Sequence, residues 1–235
     1  MKKLGFTLAE VMVALALIGV ITSLTIPTFV SSNKNKTNSA KLSTTISVLE
    51  NAFTSMIAAE AAQDLTETRF GREQSAANLG RYLKISNSGV IGVDYYTSDS
   101  PFNDISGNSA ENLFETPEIV FEVKNGALVM FEPSNIVKAD AVDAGGGIDS
   151  AIGYITIDVN GSAVPNIWGR DAFYFLLGTD GLLYPAGGLD FSLLVKGEDA
   201  HTWNKDGSNY ICSDDGNKNM GCTARLLENN YEVDY

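Results

Sequence analysis

The chain has 235 residues, of which 29 are acidic and 16 are basic, so its formal net charge is -13 at neutral pH. This length suits one or two domains, with one as the better expectation. An acidic surface repels phosphate backbones, and the sequence has no basic cluster with interleaved aromatic residues, so no nucleic-acid partner is expected. Many apolar residues crowd into the first thirty positions, and the rest has the composition of a water-exposed domain.

An apolar run dominates the N-terminus. It extends from Val11 to Ile26 and is broken only by Gly19 and three hydroxyl residues. At about 1.5 Å per residue, a helix from Phe6 to Val30 is long enough to cross a hydrocarbon core roughly 30 Å thick. A secretory signal peptide would have a shorter apolar stretch, closed by a small-residue cleavage site. Hydropathy alone therefore also allows an uncleaved signal anchor.

Glu10 lies at the start of this run. A carboxylate in a bilayer is costly, usually has a partner and usually marks function. The alternative is that Glu10 lies shallow enough for its carboxylate to reach the membrane surface. A generic anchor has no use for such a residue, so Glu10 is a candidate functional residue.

The first ten residues resemble a known signal. Two lysines precede Gly5-Phe6-Thr7-Leu8-Ala9-Glu10, and the apolar run follows. This arrangement resembles the class III signal of type IV pilins and type II secretion pseudopilins. The resemblance implies that prepilin peptidase cuts between Gly5 and Phe6 and methylates the new amine of Phe6.

The same resemblance implies roles in assembly for two further residues. Glu10 occupies the position of the glutamate that pairs with the N-terminal amine of a neighbouring subunit. Pro27 matches a proline that is common late in the apolar helix, where it would kink or loosen that helix. A buried amine–carboxylate pair would set the register between subunits, because mispairing leaves a charge unpaired in a medium of low polarity.

The helix is predicted to continue beyond the apolar run. Apolar residues return at helical spacing, and alanines extend the pattern to about Gln63. This second half is apolar on one side only, which predicts that it packs against a sheet. The predicted segments are a leader at 1–5, an apolar membrane or filament-core helix at 6–30, its amphipathic continuation at 31–63, and a β-rich head at 64–235.

Two groups of strands are predicted in the head. Asn125-Gly126 lies between β-rich runs, which is a strong hairpin signal. A second meander is predicted over 151–184, with a turn at Gly178-Thr179-Asp180-Gly181. The predicted fold class is α+β, with a long N-terminal helix packed on an antiparallel β-sheet head, as in pilins.

Asp158, Asn160 and Asp171 form a candidate calcium site. They are rich in the oxygen ligands that calcium prefers, and pseudopilins often hold calcium in a C-terminal loop. The ordered ligand spacing of an EF-hand is absent, however. The sequence Asp-x-Asn-Gly is also ordinary turn chemistry, so a plain turn is the alternative.

The two cysteines, Cys212 and Cys222, lie close together in the sequence. Their spacing does not separate a disulfide from two free thiols. If the head lies outside the cytoplasm, as the resemblance implies, a disulfide is expected. The single histidine, His201, has no legible catalytic partners, and the sequence offers no enzymatic constellation.

Together these features predict a structural subunit of a type IV pilus or a type II secretion pseudopilus. The expected partners are prepilin peptidase, other pilin or pseudopilin subunits, the inner-membrane assembly machinery and the membrane itself. The precursor would lie in the inner membrane with its head outside the cytoplasm. The alternatives are a minor pilin or adhesin that binds a surface, a membrane-anchored enzyme, and an anchored surface domain that is never processed.

Overall fold

The computed structural model of the chain describes residues 7–73, 76–87, 102–105, 107, 119–137, 150–161, 163–185, 212 and 221–233. The chain divides into two compact units, Met1–Thr37 and Asn38–Tyr235. A single helix, α1, extends over Leu8–Ala59. The predicted fold class is confirmed, since this long helix is followed by an antiparallel sheet.

Helix α1 ends earlier than the expected position near Gln63. Ala61 adopts a left-handed φ of 51°. Its N–H bonds the carbonyl of Ala58 at 3.3 Å, and the N–H of Ala62 bonds the carbonyl of Ile57 at 3.1 Å. This is a Schellman motif, which closes helices and satisfies their last carbonyl groups. Beyond it the buried Leu65 donates its N–H to the carbonyl of Thr179, so a contact with the head sets the new direction of the chain.

The elements after α1 are short helices and strands. A 3-10 turn covers Leu65–Glu67, and the described residues after it contain the helices α2 (Arg69–Glu73), α3 (Ala76–Leu79) and α4 (Cys222–Glu228). The strands are β1 (Ile85–Asn87), β2 (Phe102–Asn103), β3 (Ile119–Val123), β4 (Leu128–Val137), β5 (Ser150–Asp158), β6 (Asn166–Ile167), β7 (Ala172–Gly178) and β8 (Leu183–Pro185). Six of them form one antiparallel sheet in the order β1-β3-β4-β5-β7-β8, while β2 and β6 pair in parallel.

Both predicted turns are present. In the first hairpin Gly126 has a φ of 83° and donates its N–H to the carbonyl of Val123 at 2.8 Å. The Asn125 side chain accepts the N–H of Ala127 at 3.1 Å, so both residues of the Asn-Gly pair shape the turn. In the second, Gly178 donates its N–H to the carbonyl of Leu182 at 2.9 Å.

The two predicted groups of strands form one sheet. β4 pairs directly with β5, with Leu128 opposite Asp158 and Val129 opposite Ile157. The predicted glycine-rich linker at 139–150 lies almost wholly outside the described residues. Long-range pairing of β4 with β5 therefore joins the first hairpin to the second meander.

The C-terminal half of α1 packs on this sheet within the second unit. The buried apolar residues of the helix belong to the same core cluster as the inward-facing strand residues; they are Leu42, Ile46, Leu49, Ala52, Phe53 and Met56. Phe53 lies 5.5 Å from Phe70 between ring centroids, and Phe70 lies 5.2 Å from Phe131. The apolar face of the helix therefore packs against the sheet, as predicted.

The opposite face of the sheet is buried as well along β7. Every residue of β7 is buried, including Tyr174 and Leu176, which alternate with the core-facing Phe173 and Phe175. Trp168 packs edge-on against Tyr174 at 6.3 Å, and Phe102 stacks on Trp168 at 4.5 Å. Burial raises the pKa of Tyr174 well above its usual value. The continuous apolar sequence of β7 reflects a strand covered on both sides.

Candidate functional site

The candidate site begins at the first turn of α1. Thr7 is the residue before the helix, and Glu10 is its third residue. The Glu10 carboxylate accepts the Thr7 backbone N–H and the Thr7 hydroxyl, each at 2.8 Å. The Thr7 hydroxyl oxygen in turn accepts the Glu10 N–H at 3.3 Å. This reciprocal arrangement is a capping box, which satisfies backbone donors that a helix start would otherwise leave free.

The helix surface after Glu10 is apolar and uncovered in the single chain. Among the described residues, α1 is long and apolar enough to cross a membrane, by length and composition. Its large side chains are exposed from Leu8, at 79%, through Leu24, at 70%, to Val30. The polar breaks in the run are satisfied locally, because Ser23 donates to the carbonyl of Val20 and Thr25 to that of Ile21. Such bonds let hydroxyl side chains lie in a lipid environment.

The structure describes less of the other predicted residues in this segment. Gly5 and Phe6, the predicted cleavage and methylation residues, lie outside the described part of the chain. Helix α1 continues through Pro27, whose side chain is not among those described. Proline has no N–H, so the carbonyl of Ser23 loses its usual helical donor there. The assembly role of Pro27 stays a prediction.

The comparison with known families decides what this segment is. A family model described as a prokaryotic N-terminal methylation motif matches residues 1–26. The chain carries a prepilin signal. The match confirms the resemblance to the signal of type IV pilins and pseudopilins, which is a structural signal and not that of an enzyme family. No curated protein and no solved structure matches the chain.

The prepilin signal gives the exposed helix a physical meaning. It marks the chain as a prepilin-type substrate, and the apolar helix behind it is consistent with a membrane-anchored precursor. A cut before Phe6 would leave the amide N–H of Thr7 intact. The capping box therefore needs nothing from the leader and can persist in the processed chain.

Polar contacts fasten the head to the C-terminal half of α1 within the second unit. The Asn38 side chain donates to the carbonyl of Arg170 at 3.0 Å, and the Lys41 side chain donates to the carbonyl of Val159 at 3.3 Å. The Thr45 hydroxyl accepts from the Asn125 side chain at 2.9 Å, and the Glu50 carboxylate accepts the N–H of Leu183 at 3.1 Å. Burial raises the pKa of Glu50, and the charge of Asp180 adds to the rise. These contacts fix the register of the helix on the sheet.

The three predicted calcium residues lie at one end of β5 and β7. Asp158 ends β5 opposite Ala172, the first residue of β7, and Asp171 directly precedes Ala172. Both aspartates are buried and accept backbone N–H groups, Asp158 from Asn160 and Asp171 from Ile167. Such bonds from backbone N–H groups to aspartate side chains are expected if the loop is a plain turn without calcium. No group of three or more acidic, histidine or cysteine side chains that could hold a metal occurs in the described residues.

Buried side-chain amide atoms in the same loop are left without hydrogen-bond partners. Asn166 is fully buried, yet neither its amide oxygen nor its amide nitrogen has a hydrogen bond, and the same holds for the amide oxygen of Asn160. A buried amide without partners is costly. The loop therefore contains oxygen atoms, beyond those of its two carboxylates, that could act as metal ligands. Asn166 is a residue that the sequence reasoning missed.

The cysteines form the expected disulfide, Cys212–Cys222. Cys222 is buried at the start of α4, and the Arg225 side chain bonds the carbonyl of Cys212 at 3.0 Å. The Thr223 hydroxyl accepts the N–H of Tyr174 at 3.2 Å, which ties α4 to β7. The bridge thus holds residue 212 against a helix that is itself attached to the sheet.

Thr7 is the second residue that the sequence reasoning missed. Its place in the prepilin signal does not by itself give it a role. The signal that could have found it is the Thr-x-x-Glu spacing before an apolar run, which is typical of a capping box. No comparable local pattern would have singled out Asn166, because its burial depends on packing.

Proposed function

We propose that this chain is a structural subunit of a type IV pilus or a type II secretion pseudopilus. In this proposal prepilin peptidase cuts between Gly5 and Phe6 and methylates Phe6, and subunits then assemble through α1. The observation that carries the proposal is the prepilin signal on a helix whose apolar side chains are uncovered over residues 8–26. Such a surface needs lipid before assembly and neighbouring helices afterwards.

Glu10 supports an ordered assembly in this proposal. It is an acidic residue at the head of an apolar helix, held at a defined position by Thr7. The amine of Phe6 on a neighbouring subunit supplies a positive partner once lipid or protein excludes water. Pairing the two sets the axial register, because a shifted subunit leaves both charges unpaired.

The proposal also defines a cellular path. The precursor lies in the inner membrane, with its head outside the cytoplasm, where Cys212 and Cys222 can be oxidised. The inner-membrane assembly machinery then moves it into a filament with other pilin or pseudopilin subunits. The head, with its own core and disulfide, would form the outer surface of that filament.

The first test is the intact mass and N-terminal sequence of the protein from its native host. We expect a chain that starts at N-methylated Phe6 and is present in sheared or detergent-extracted filaments seen by electron microscopy. The matched control is the same host without prepilin peptidase, in which the chain should keep Met1 and remain in the membrane. A chain that starts at Met1 in the presence of the active peptidase contradicts the proposal.

We also propose that the loop joining β5 to β7 binds calcium. The supporting observation is the pair of buried carboxylates, Asp158 and Asp171, in the same loop as the unsatisfied amide oxygens of Asn160 and Asn166. Carboxylate and amide oxygens are the ligands that calcium takes in proteins. Calcium would satisfy these amide oxygens and neutralise the two carboxylates.

The calcium proposal is tested by thermal unfolding of the full chain in detergent, with calcium or with a chelator. We expect a higher Tm with calcium for the native chain and no calcium effect for Asp158→Asn. Asp180→Asn, which alters a turn carboxylate of another loop, should keep the effect. Equal Tm values of the native chain in calcium and in chelator would instead support the plain turn.

A further inference from the structure

A groove lies beside the C-terminal half of α1 in the second unit. It has a volume of about 410 Å³ and is bounded by Val48 of the helix, by Tyr82 and Leu83 before β1, and by Val123 at the end of β3. Val48 is 41% exposed, although it lies on a helix that is otherwise buried on its sheet-facing side. The floor of the groove is thus apolar and open to a partner.

The rim of this groove is basic. Lys84 and Lys124 line it, and an adjoining depression of about 680 Å³ shares Lys84 and adds Arg81. Among the described residues that line the groove and the depression, none is acidic. A local positive rim on a chain with a net charge of -13 is complementary to the rest of the same chain's surface. We call these residues the basic groove.

An acidic counterpart lies at the far end of α1. Glu60, Asp64 and Glu67 surround the helix C-terminus, and we call them the acidic cap. Glu67 is exposed, and the other two are partly exposed. The C-terminal end of a helix carries a partial negative charge, which adds to the negative potential of these carboxylates. Arg69 and Arg72 follow on α2, and the Glu60 carboxylate accepts the backbone N–H of Arg69.

The two surfaces are offset along the helix. Thr45 and Val48 line the groove, and Glu60 is more than ten residues further on, which corresponds to roughly 20 Å at about 1.5 Å per residue. Two different patches that complement each other make a head-to-tail contact. Contacts of this kind propagate into a helical filament wherever the rotation between copies does not close a ring.

We propose that the basic groove receives the acidic cap of a second copy of this chain. The contact would lie between heads, separate from the pairing of Glu10 at the helix start. The inference rests on the proposed function, since only an assembled filament repeats such a contact along its length. Lys84 and Lys124 would face Glu60 and Glu67 of the next copy, with the apolar floor covered between them.

The direct test is zero-length carbodiimide coupling, which joins a lysine to a carboxylate that touches it. Filaments of the native chain and the full chain in detergent are treated, and the dimer band is digested for mass spectrometry. We expect Lys84 or Lys124 joined to Glu60, Asp64 or Glu67. Dimers in which these lysines are joined only to other carboxylates overturn the inference. A complete absence of filaments from the native chain speaks against the proposed function instead.

A charge exchange gives an independent readout. Lys84→Glu with Lys124→Glu reverses the groove, and Glu60→Lys with Glu67→Lys reverses the cap. Each double variant should lose filaments at least tenfold. Co-expression of the two should restore filaments that contain both chains, because each cap then finds an opposite groove on the other chain. If the cap variant fails to fold, Glu60→Gln with Glu67→Gln keeps the hydrogen-bond acceptors for Arg69 and Gln63 and should still lower the yield.

Glu228→Lys with Glu232→Lys is the matched control. It makes the same change of charge as the cap variant at two exposed side chains outside both the groove and the cap, so the yield of filaments should be kept. A groove or cap variant that assembles like this control, or reversed chains that do not rescue each other although both are folded and processed, would overturn the contact between copies. The second result would point to an acidic partner other than this chain.

Discussion

The carboxylate of Glu10 is held by the residue three positions before it, since it accepts both the N–H and the hydroxyl of Thr7 at 2.8 Å. The acidic residue of the prepilin signal therefore has a partner within its own chain. This contact places the carboxylate at the very start of the helix. Thr7 is accordingly a positioning residue for Glu10.

Replacement of Thr7 by alanine tests this relationship. The change removes the N-cap hydroxyl, which is worth about 1 kcal/mol of helix stability. We expect cleavage to continue, because the cut lies before Thr7, while the yield of filaments falls several-fold. Thr7→Ser keeps the hydroxyl and should assemble normally. Equal filament yields from the alanine and serine variants, measured against the amount of processed subunit, would show that the cap is dispensable.

The charge of Glu10 is tested by Glu10→Gln. The amide still accepts the hydrogen bonds of Thr7 but offers no charge to an amine, so we expect a normally processed chain whose filaments fall at least tenfold. The measurement is the ratio of assembled to membrane-bound subunit, with Glu10→Asp as the charged control. Filaments at native abundance from Glu10→Gln would exclude the proposed pairing with Phe6.

The packing of α1 on the head is tested at Phe53. Its side chain is 1% exposed and packs against the ring of Phe70 in the head. Phe53→Ala should lower the free energy of unfolding by about 3–5 kcal/mol, because it removes a buried ring and leaves a cavity. Val48→Ala on the same helix, at an exposed position, should cost less than about 1 kcal/mol. Urea unfolding of the full chain in detergent measures both, and similar losses would contradict the assigned burial.

Glu50 makes stability depend on pH. Its pKa in the folded chain is raised above 4.5 by burial, so the folded state binds a proton more tightly than the unfolded state. Its contribution to stability is therefore complete below the unfolded pKa and is lost as pH rises through the folded pKa. Glu50→Gln keeps the acceptor for Leu183 and should raise stability at pH 7 by about 0.5 kcal/mol, since half exposure screens the charge.

The measurement for Glu50 is urea unfolding at several pH values between about 4 and 7. The variant should show a smaller loss of stability across this window than the native chain. Glu232→Gln, an exposed position, is the control and should follow the native curve. A variant that is less stable than the native chain at pH 7 would mean that the charge of Glu50 is favourable, against the direction of its pKa.

The disulfide is tested by replacing Cys212 with serine and Cys222 with alanine. Closing a loop with a sequence separation of 10 should contribute about 2–3 kcal/mol in the chain-entropy view. The double variant should lose about this amount in urea unfolding, and reduction of the native chain should cause a similar loss. An unchanged midpoint in both cases would show that α4 holds the C-terminal segment through Thr223 and Leu226 without the bridge.

Local patterns explain how much of the fold was predictable. The apolar run, the one-sided apolar face from Leu42 to Met56, and the turns at Gly126 and Gly181 are all set by residues close together in the chain. Helical spacing and turn chemistry are properties of such neighbours, so they can be read directly. Helix α1 ends before the position that helical spacing predicts, because Ala61 has no turn signature in the sequence. The chain leaves the helix at Ala61 through a Schellman motif, before Leu65 bonds Thr179.

The amino-acid sequence by itself determined the prepilin signal and the apolar helix, because both depend on residues that are consecutive in the chain. It also determined the strands of the Asn125-Gly126 hairpin and of the meander over 151–184, with their turns. Only the tertiary structure decided that β4 and β5 join the hairpins into one sheet, that both faces of β7 are buried, and that Asn166 is enclosed without partners. It alone brought Val48, Leu83 and Lys124 together as one groove. These features arise from contacts between distant parts of the chain, which local spacing does not encode.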